Sequence, residues 1–257
     1  MNASGALTDL LYPPACLICH APHPFPGSAP RARPGDRSWR AGGAELVCRG
    51  CTARLSPSGP PVCARCGIGL PGACDALVEC RSCREHPPAF DAARAPWSYA
   101  DAAEEAVRQF KFHRRWRLGR WLAEEMASVA NAAFPVEEVS AILPVPQHWL
   151  KRRLGGFHGA GRLADAVARS LGKPCRPDAL RCRHWTATQS RLPWRTRARN
   201  VRDAFAARGR FVRGRSVLLV DDVLTSGATA DACARALKAA GARRVFVLAA
   251  ARTPLAS

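Results

Sequence analysis

Two groups of residues in this 257-residue chain combine types and spacings that can do chemistry. The first is the run VLLVDDVLTSGAT at 217–229. Val217, Leu218, Leu219 and Val220 read as a buried strand, which delivers Asp221 and Asp222 to its carboxyl end, where open α/β sheets bind ligands. Adjacent carboxylates there can hydrogen-bond a vicinal diol and orient a hydrated Mg²⁺ whose other ligands are phosphate oxygens. Thr225, Ser226, Gly227, Ala228 and Thr229 then put small and hydroxyl side chains at the start of a helix, where backbone N–H groups and the helix dipole grip a phosphate. A sugar phosphate with a free diol satisfies both halves, and the run as a whole points to a phosphoribosyl group. Strand-end aspartates also serve simply to cap helices. A receiver domain of the response-regulator kind has an acidic pair too, but it needs further strands for its phosphoacceptor and lysine, and only 35 residues follow Asp222.

The second group is cysteine. Nine of 12 cysteines precede residue 84, and eight of them form Cys-x-x-Cys pairs: Cys16 and Cys19, Cys48 and Cys51, Cys63 and Cys66, Cys80 and Cys83. Two intervening residues let both sulfurs converge on one tetrahedral ion, and two such knuckles complete a closed four-sulfur zinc site. Pairing the knuckles in chain order gives a double zinc ribbon; an interleaved pairing uses the same residues, and Cys74 is a ninth thiol that is either spare or a substitute ligand. A redox role for the motif normally goes with a βαβ unit, which this segment lacks. In so short a segment, rich in Pro and Gly, the metal would supply much of the folding free energy. The opening MNASGALTDLLYPPACLIC has neither a basic start nor a long apolar core, so it does not read as a secretory signal, and a reducing cytoplasm is the expected compartment. Residues 21–43 read as a flexible loop.

The elements that must hold these groups follow from periodicity. Composition changes after Pro87 and Pro88, which places a boundary near residue 90: a cysteine-rich unit over 1–89 and a second domain over 90–257. Asp101 and Glu104 form a capping-box-like pair ahead of a helix carrying Val107 and Phe110, and Leu118, Leu122, Met126 and Val129 share a face of the next. Ala141–Val145 is a short apolar strand ending in Pro-Val-Pro. A basic glycine-containing turn leads into a helix with Leu163, Val167 and Leu171 on one face, stopped by Gly172 and Pro174. The 217–220 strand, a helix over 228–240 and a strand over 245–248 repeat the pattern, which predicts a parallel sheet covered by helices, with Cys233 a small core residue.

Composition supports this reading and excludes others. With 47% hydrophobic and 23% charged residues the chain matches a soluble globular protein, and no run approaches the roughly 18 apolar residues of a membrane span. The formal charge of +19 comes from 35 Arg and 4 Lys against 20 acids. A GC-rich genome explains Arg over Lys but not the shortage of acids, so anionic partners are expected, nucleic acid or phosphorylated small molecules. Eleven arginines and one acid, Asp203, lie between 181 and 215, with Trp185 and Trp194 among them. That stretch reads as a loop closing over a reacting centre, as a stacking surface for single-stranded nucleic acid, or as an exposed basic flap.

Taken together, the cysteine knuckles, LPVP at 143–146, RRLGGFHGAG at 152–161, TATQSRL and RARNVRDAF between 186 and 205, VLLVDDVLTSGAT and the closing GARRVFVLAAAR resemble the ComF family across nearly the whole chain. The resemblance implies an α/β, type I phosphoribosyltransferase-like parallel-sheet domain preceded by a small cysteine-rich zinc-ribbon domain. By it, Asp221 and Asp222 would meet the ribose hydroxyls of phosphoribosyl pyrophosphate, Thr225, Ser226, Gly227, Ala228 and Thr229 its 5′-phosphate, and the loop at Val145 its pyrophosphate, with Mg²⁺ as cofactor. Gln189, Arg197 and Asn200 match positions typical of the family and are the candidates for catalysis. Where the family usually reads RGFNQ, this chain has Gly155, Gly156, Phe157, His158 and Gly159; His158 is either a substitute polar contact or a surface residue. The family is associated with competence, so the resemblance implies either phosphoribosyl transfer or a non-catalytic accessory role on single-stranded DNA beside a competence helicase.

Overall fold

The computed structural model describes residues 15–21, 47–72, 78–113, 115–147, 157–183 and 204–254. Two short helices belong to the cysteine-rich part, α1 (Arg49–Ala53) and α2 (Arg81–Glu85). The chain then enters a parallel sheet through two short strands, β1 (Ala92–Arg94) and β2 (Trp97–Ser98). Two helices follow, α3 (Asp101–His113) and α4 (Trp116–Ala133), before β3 (Val139–Pro144) and α5 (Gly159–Leu171). A small antiparallel pair, β4 (Leu180–Cys182) with β5 (Phe205–Ala207), and the single turn α6 (Gly209–Val212) precede β6 (Ser216–Leu224), α7 (Ala228–Ala239) and β7 (Arg244–Arg252).

The sheet order is β1-β7-β6-β3, with β2 also pairing β7 and every pairing parallel. Such a sheet must be covered on both faces, and the alternation along its central strands shows how. Leu218, Val220, Phe246 and Leu248 pack with Phe110 of α3, Leu122 and Met126 of α4 and Leu163 and Val167 of α5. Val217, Leu219, Val245 and Val247 face the other way, onto Ala230, Cys233, Ala234 and Leu237 of α7. The expected parallel α/β core is therefore present, and Cys233 is the buried small residue its spacing implies.

Local differences have physical causes. Asp101 is the first residue of α3 rather than its cap, at φ 44°, and the N–H groups of Ala103 and Glu104 bond to the carbonyl of Ala100 instead. On α4 Val129 is only half-buried, and Ala130 takes the core position. Both central strands outlast their apolar runs, because β6 stays in register with β7 from Ser216↔Arg244 to Leu224↔Arg252. The loop read at 21–43 lies almost wholly outside the described residues.

The cysteine-rich part packs on this framework. Cys16, Leu17, Ile18, Val47 and Cys51 join the core that contains α3 and α4, while Cys63, Cys66 and Cys83 join the one that contains Phe90 and Ala93. Gln109 of α3, only 6% exposed, donates to the Ile18 carbonyl at 2.6 Å and to Glu105 at 2.8 Å. On the other side, the Ala93 N–H of β1 donates to the Arg65 carbonyl at 2.7 Å, and Arg94 donates to the carbonyls of Cys63 and Ala64.

Candidate functional site

Asp221 and Asp222 lie in the last half of β6 rather than beyond it, so strand alternation sends them to opposite faces. Asp222 falls on the face of α3 and α5. Lys111, on the last turn of α3, pairs with it at 2.8 Å, and Gly159 at the start of α5 leaves room for its second oxygen, which would lie 3.3 Å from a Cβ there. Asp221 turns toward α7, and its Oδ1 accepts the backbone N–H of Asp222 at 2.8 Å. Burial, and next the neighbouring Asp222 carboxylate, push the Asp221 carboxyl up to about 7, against the opposing pull of the Asp222 N–H and of Lys111. One carboxylate is thus paired with a lysine while the other is poised to titrate near neutrality.

The loop that follows is clamped from β7. Arg252, 5% exposed, donates to the carbonyls of Leu224, at 2.8 Å, and of Thr225, and the Thr253 N–H donates to Leu224 at 3.0 Å. Thr225 and Ser226 are left exposed, and Gly227 caps α7 at φ 80°, a left-handed conformation that suits glycine. Ala228 and Thr229 begin the helix, whose first N–H groups face the loop. From the opposite side, Asp231 of α7 accepts the Ala89 N–H at 2.8 Å and pairs with Arg235 at 2.5 Å, which fixes the helix start against the chain entering β1.

Val145 follows β3 and its N–H donates to the Val220 carbonyl at 2.8 Å, bringing the Pro-Val-Pro loop alongside the acidic strand end. His158 is half-buried rather than superficial: its Nε2–H donates to the Val145 carbonyl at 3.0 Å, a tautomer assigned from that acceptor. Phe157 packs edge-on against Phe110 at 5.0 Å. The described part of the altered GGFHG segment therefore ties α5 to the loop and to α3, and gives Asp222 its space. Beside it opens a cleft of about 380 Å³ lined by Pro146, His158, Arg162, Asp178, Arg181 and Arg208 among others. Gln189, Arg197, Asn200, Trp185 and Trp194 lie outside the described residues, as do Gly155 and Gly156.

The knuckles combine in chain order. The sulfurs of Cys16, Cys19, Cys48 and Cys51 lie within 4.8 Å of one another, and so do those of Cys63, Cys66, Cys80 and Cys83. Four sulfurs about 2.3 Å from a tetrahedral zinc stand about 3.8 Å apart. Cys19 and Cys48 are 3.6 Å apart and Cys66 and Cys80 3.8 Å, so each tetrad has the dimensions of a zinc site. Each also holds one thiol ready to ionise. Burial opposes ionisation of Cys16, but the N–H groups of Cys48, Cys19 and Ile18 outweigh it and bring the thiol down to about 6; Cys63 falls to about 7 in the same way, against burial, through Cys66, Cys80 and Arg65. Burial instead raises Cys51 to about 12 and Cys83 beyond the ordinary thiol range. Cys74 lies outside the described residues.

Lys111, Gln109 and Arg252 escaped the sequence reading. Arg252 ends a quoted motif, but nothing in spacing shows that it reaches back 28 residues to Leu224. Lys111 stands out only as one of 4 lysines in a chain that otherwise uses Arg.

No family model matches the chain. It is 30% identical over 214 residues to the DNA utilization protein YhgH of Escherichia coli (strain K12), an alignment covering 80% of this chain and 90% of that protein. It is 26% identical over 212 residues to Competence protein F of Haemophilus influenzae, with the same coverage. Among solved structures it is similar to a glutamine phosphoribosylpyrophosphate amidotransferase from B. subtilis, with a TM-score of 0.35, 22% identity, and 50% of this chain against 25% of that one.

Proposed function

For a chain that belongs to the ComF family, we propose that the β6–α7 loop binds phosphoribosyl pyrophosphate with Mg²⁺, and that it does so in the service of competence or DNA utilization, the roles its relatives' names carry. The observation that carries the proposal is the carboxylate pair Asp221 and Asp222 standing two residues ahead of a turn that exposes Thr225 and Ser226 and opens a helix at Gly227. In this reading the carboxylates receive the ribose hydroxyls, with the Lys111 ion pair holding Asp222 in place. Thr225, Ser226 and the first N–H groups of α7 hold the 5′-phosphate, while Arg252 keeps the loop in shape from below. The loop at Val145 and the arginines of the adjacent cleft face the pyrophosphate. Phosphoribosyl transfer there would break the C1–O bond to pyrophosphate, which leaves with both bonding electrons as an acceptor atom bonds to C1. Mg²⁺ would supply charge neutralisation on the departing group. Zinc in the two tetrads would be structural.

Calorimetric titration of phosphoribosyl pyrophosphate with Mg²⁺ into the full chain tests the pocket. Wild type is expected to bind, and Asp221→Asn with Asp222→Asn to weaken binding about 100-fold or more. A wild type that does not bind, or a double variant that binds equally well, overturns the assignment.

A further inference from the structure

The second cysteine tetrad and the turn at 225–227 are built against each other. Arg65, inside the Cys63–Cys66 knuckle, donates to the Phe90 carbonyl at 3.4 Å and pairs with Glu79 at 3.1 Å. Phe90, only 2% exposed, sets its ring beside the turn, where a Cβ on Gly227 would stand 3.9 Å from it. One residue earlier, the Ala89 N–H holds Asp231 in the first turn of α7. Cys63, Cys66, Cys83, Phe90, Leu224 and Ala230 belong to one buried cluster, whereas the first tetrad packs into the other, with α3 and α4.

Charge gives this packing a direction. A zinc held by four thiolates carries two surplus negative charges, and a buried charge needs a partner. Two guanidiniums stand there. Arg94, half-buried, donates to the carbonyls of Cys63 and Ala64, and Arg252 lies almost wholly buried on β7. Among the described residues no carboxylate pairs with either. Burial pushes the Cys66 thiol up, against the pull of the Ile68 N–H and of the Arg252 charge, so Arg252 and the tetrad are within electrostatic reach of each other. The Arg252 Nη1 is committed to the carbonyls of Leu224 and Thr225, while its Nε, also buried, has no hydrogen-bond partner among the described residues. Zinc in the tetrad supplies the counter-charge that this buried cation otherwise lacks.

We propose that zinc in Cys63, Cys66, Cys80 and Cys83 sets the shape of the 225–227 turn and of the α7 start, with Arg252 as the positioning residue whose charge answers the tetrad and whose Nη1 holds the turn. Only the use of that turn is taken from the sugar-phosphate reading. The second tetrad thereby tunes the binding loop, while the first braces α3 and α4.

Hydrogen exchange of the full-length protein under reducing conditions, well below the melting temperature, tests the coupling. Cys80→Ala is expected to speed exchange of the 225–231 amides about tenfold or more while those at 141–143 in β3 stay within about twofold of wild type; Cys19→Ala, which removes a ligand of the first tetrad, should leave 225–231 unchanged. Arg252 is tested with both tetrads intact, so it decides the matter even if Cys80→Ala fails to fold. Arg252→Met removes the charge and should release zinc to a chromogenic chelator about tenfold faster, with faster exchange at 225–231. Arg252→Lys keeps the charge but not the reach of the guanidinium, so zinc release should return to within about threefold of wild type while exchange at 225–231 remains raised. A residue that only fills space would make the two variants alike. The proposal is overturned by wild-type exchange at 225–231 in a folded Cys80→Ala, by unchanged zinc release in Arg252→Met, or by Met and Lys variants that cannot be told apart. None of these readouts uses a ligand. Titrating phosphoribosyl pyrophosphate with Mg²⁺ into wild type and Arg252→Lys then separates the two readings: weaker binding by the variant supports both, and altered exchange in proteins that both ignore the ligand sinks the pocket alone.

Discussion

Neighbours in sequence, Asp221 and Asp222 occupy different electrostatic worlds because a strand alternates its side chains. Asp222 has the Lys111 ammonium at 2.8 Å, whereas burial and the Asp222 carboxylate push Asp221 up to about 7. An unfolded aspartate titrates near 3.9. Since the folded-state value is raised, this group's contribution to stability is complete below about pH 4 and is lost as pH rises through 7. Asp221→Asn, which cannot ionise, should therefore melt higher than wild type at pH 8 and gain little at pH 4. Three pKa units correspond to about 4 kcal/mol, and because the carboxyl retains some water the gain should be roughly 1–3 kcal/mol. Thermal melts of the ligand-free protein at the two pH values check this; a shift equal at both would show that the substitution acts through shape rather than charge.

At the scale of elements, the question is what fixes a metal knuckle to a sheet. Gly67 ends the Cys63–Cys66 knuckle at φ 66°, and a Cβ there would stand 2.3 Å from the Ala93 carbonyl oxygen of β1. That oxygen belongs to backbone already bound to Arg65, so it cannot yield without breaking the junction. Gly67→Ala should cost about 2–4 kcal/mol, through the left-handed backbone and the clash together, while Gly69→Ala, which meets nothing within 4 Å, should be close to neutral. Denaturant titration of the two variants is the measurement, and equal stability would contradict the packing described. This junction also marks the limit of legibility. Strand runs such as Val217–Val220, the helix stop at Gly172 and the Cys-x-x-Cys knuckles are written in local periodicity and spacing, and each appears where it was read. Lys111 on Asp222, Gln109 on Ile18 and Arg252 on Leu224 join residues 28 to 111 positions apart, and only the packing of α3 and β7 brings them together. The capping box at Asp101 misled because the backbone of Ala100 already satisfies the donors that a capping side chain would serve.

For the molecule as a whole, the cysteine tetrads matter because of where their residues are buried. Cys16 and Cys51 share a core with Phe110 and Leu122, and Cys63, Cys66 and Cys83 share one with Phe90, Val217 and Leu237. A metal that binds only the folded chain stabilises everything coupled to it. Structural zinc in small peptides is worth about 10–16 kcal/mol, comparable to the whole of the roughly 5–15 kcal/mol that separates folded from unfolded domains. Stripping zinc under reducing conditions should accordingly lower the melting temperature of the entire chain, by roughly 10 °C or more, within a single broadened transition. The first tetrad adds a route from metal to pocket: Ile18 holds Gln109, and Gln109 stands two residues before Lys111 on α3. On the proposed reading of the β6–α7 loop, chelation should thus also weaken binding of phosphoribosyl pyrophosphate at temperatures where the sheet is still folded. Differential scanning calorimetry of holo and chelated protein decides the matter: a second transition left at its original temperature would mean that the metal centres stabilise only themselves, and that the packing between knuckles and helices carries no coupling.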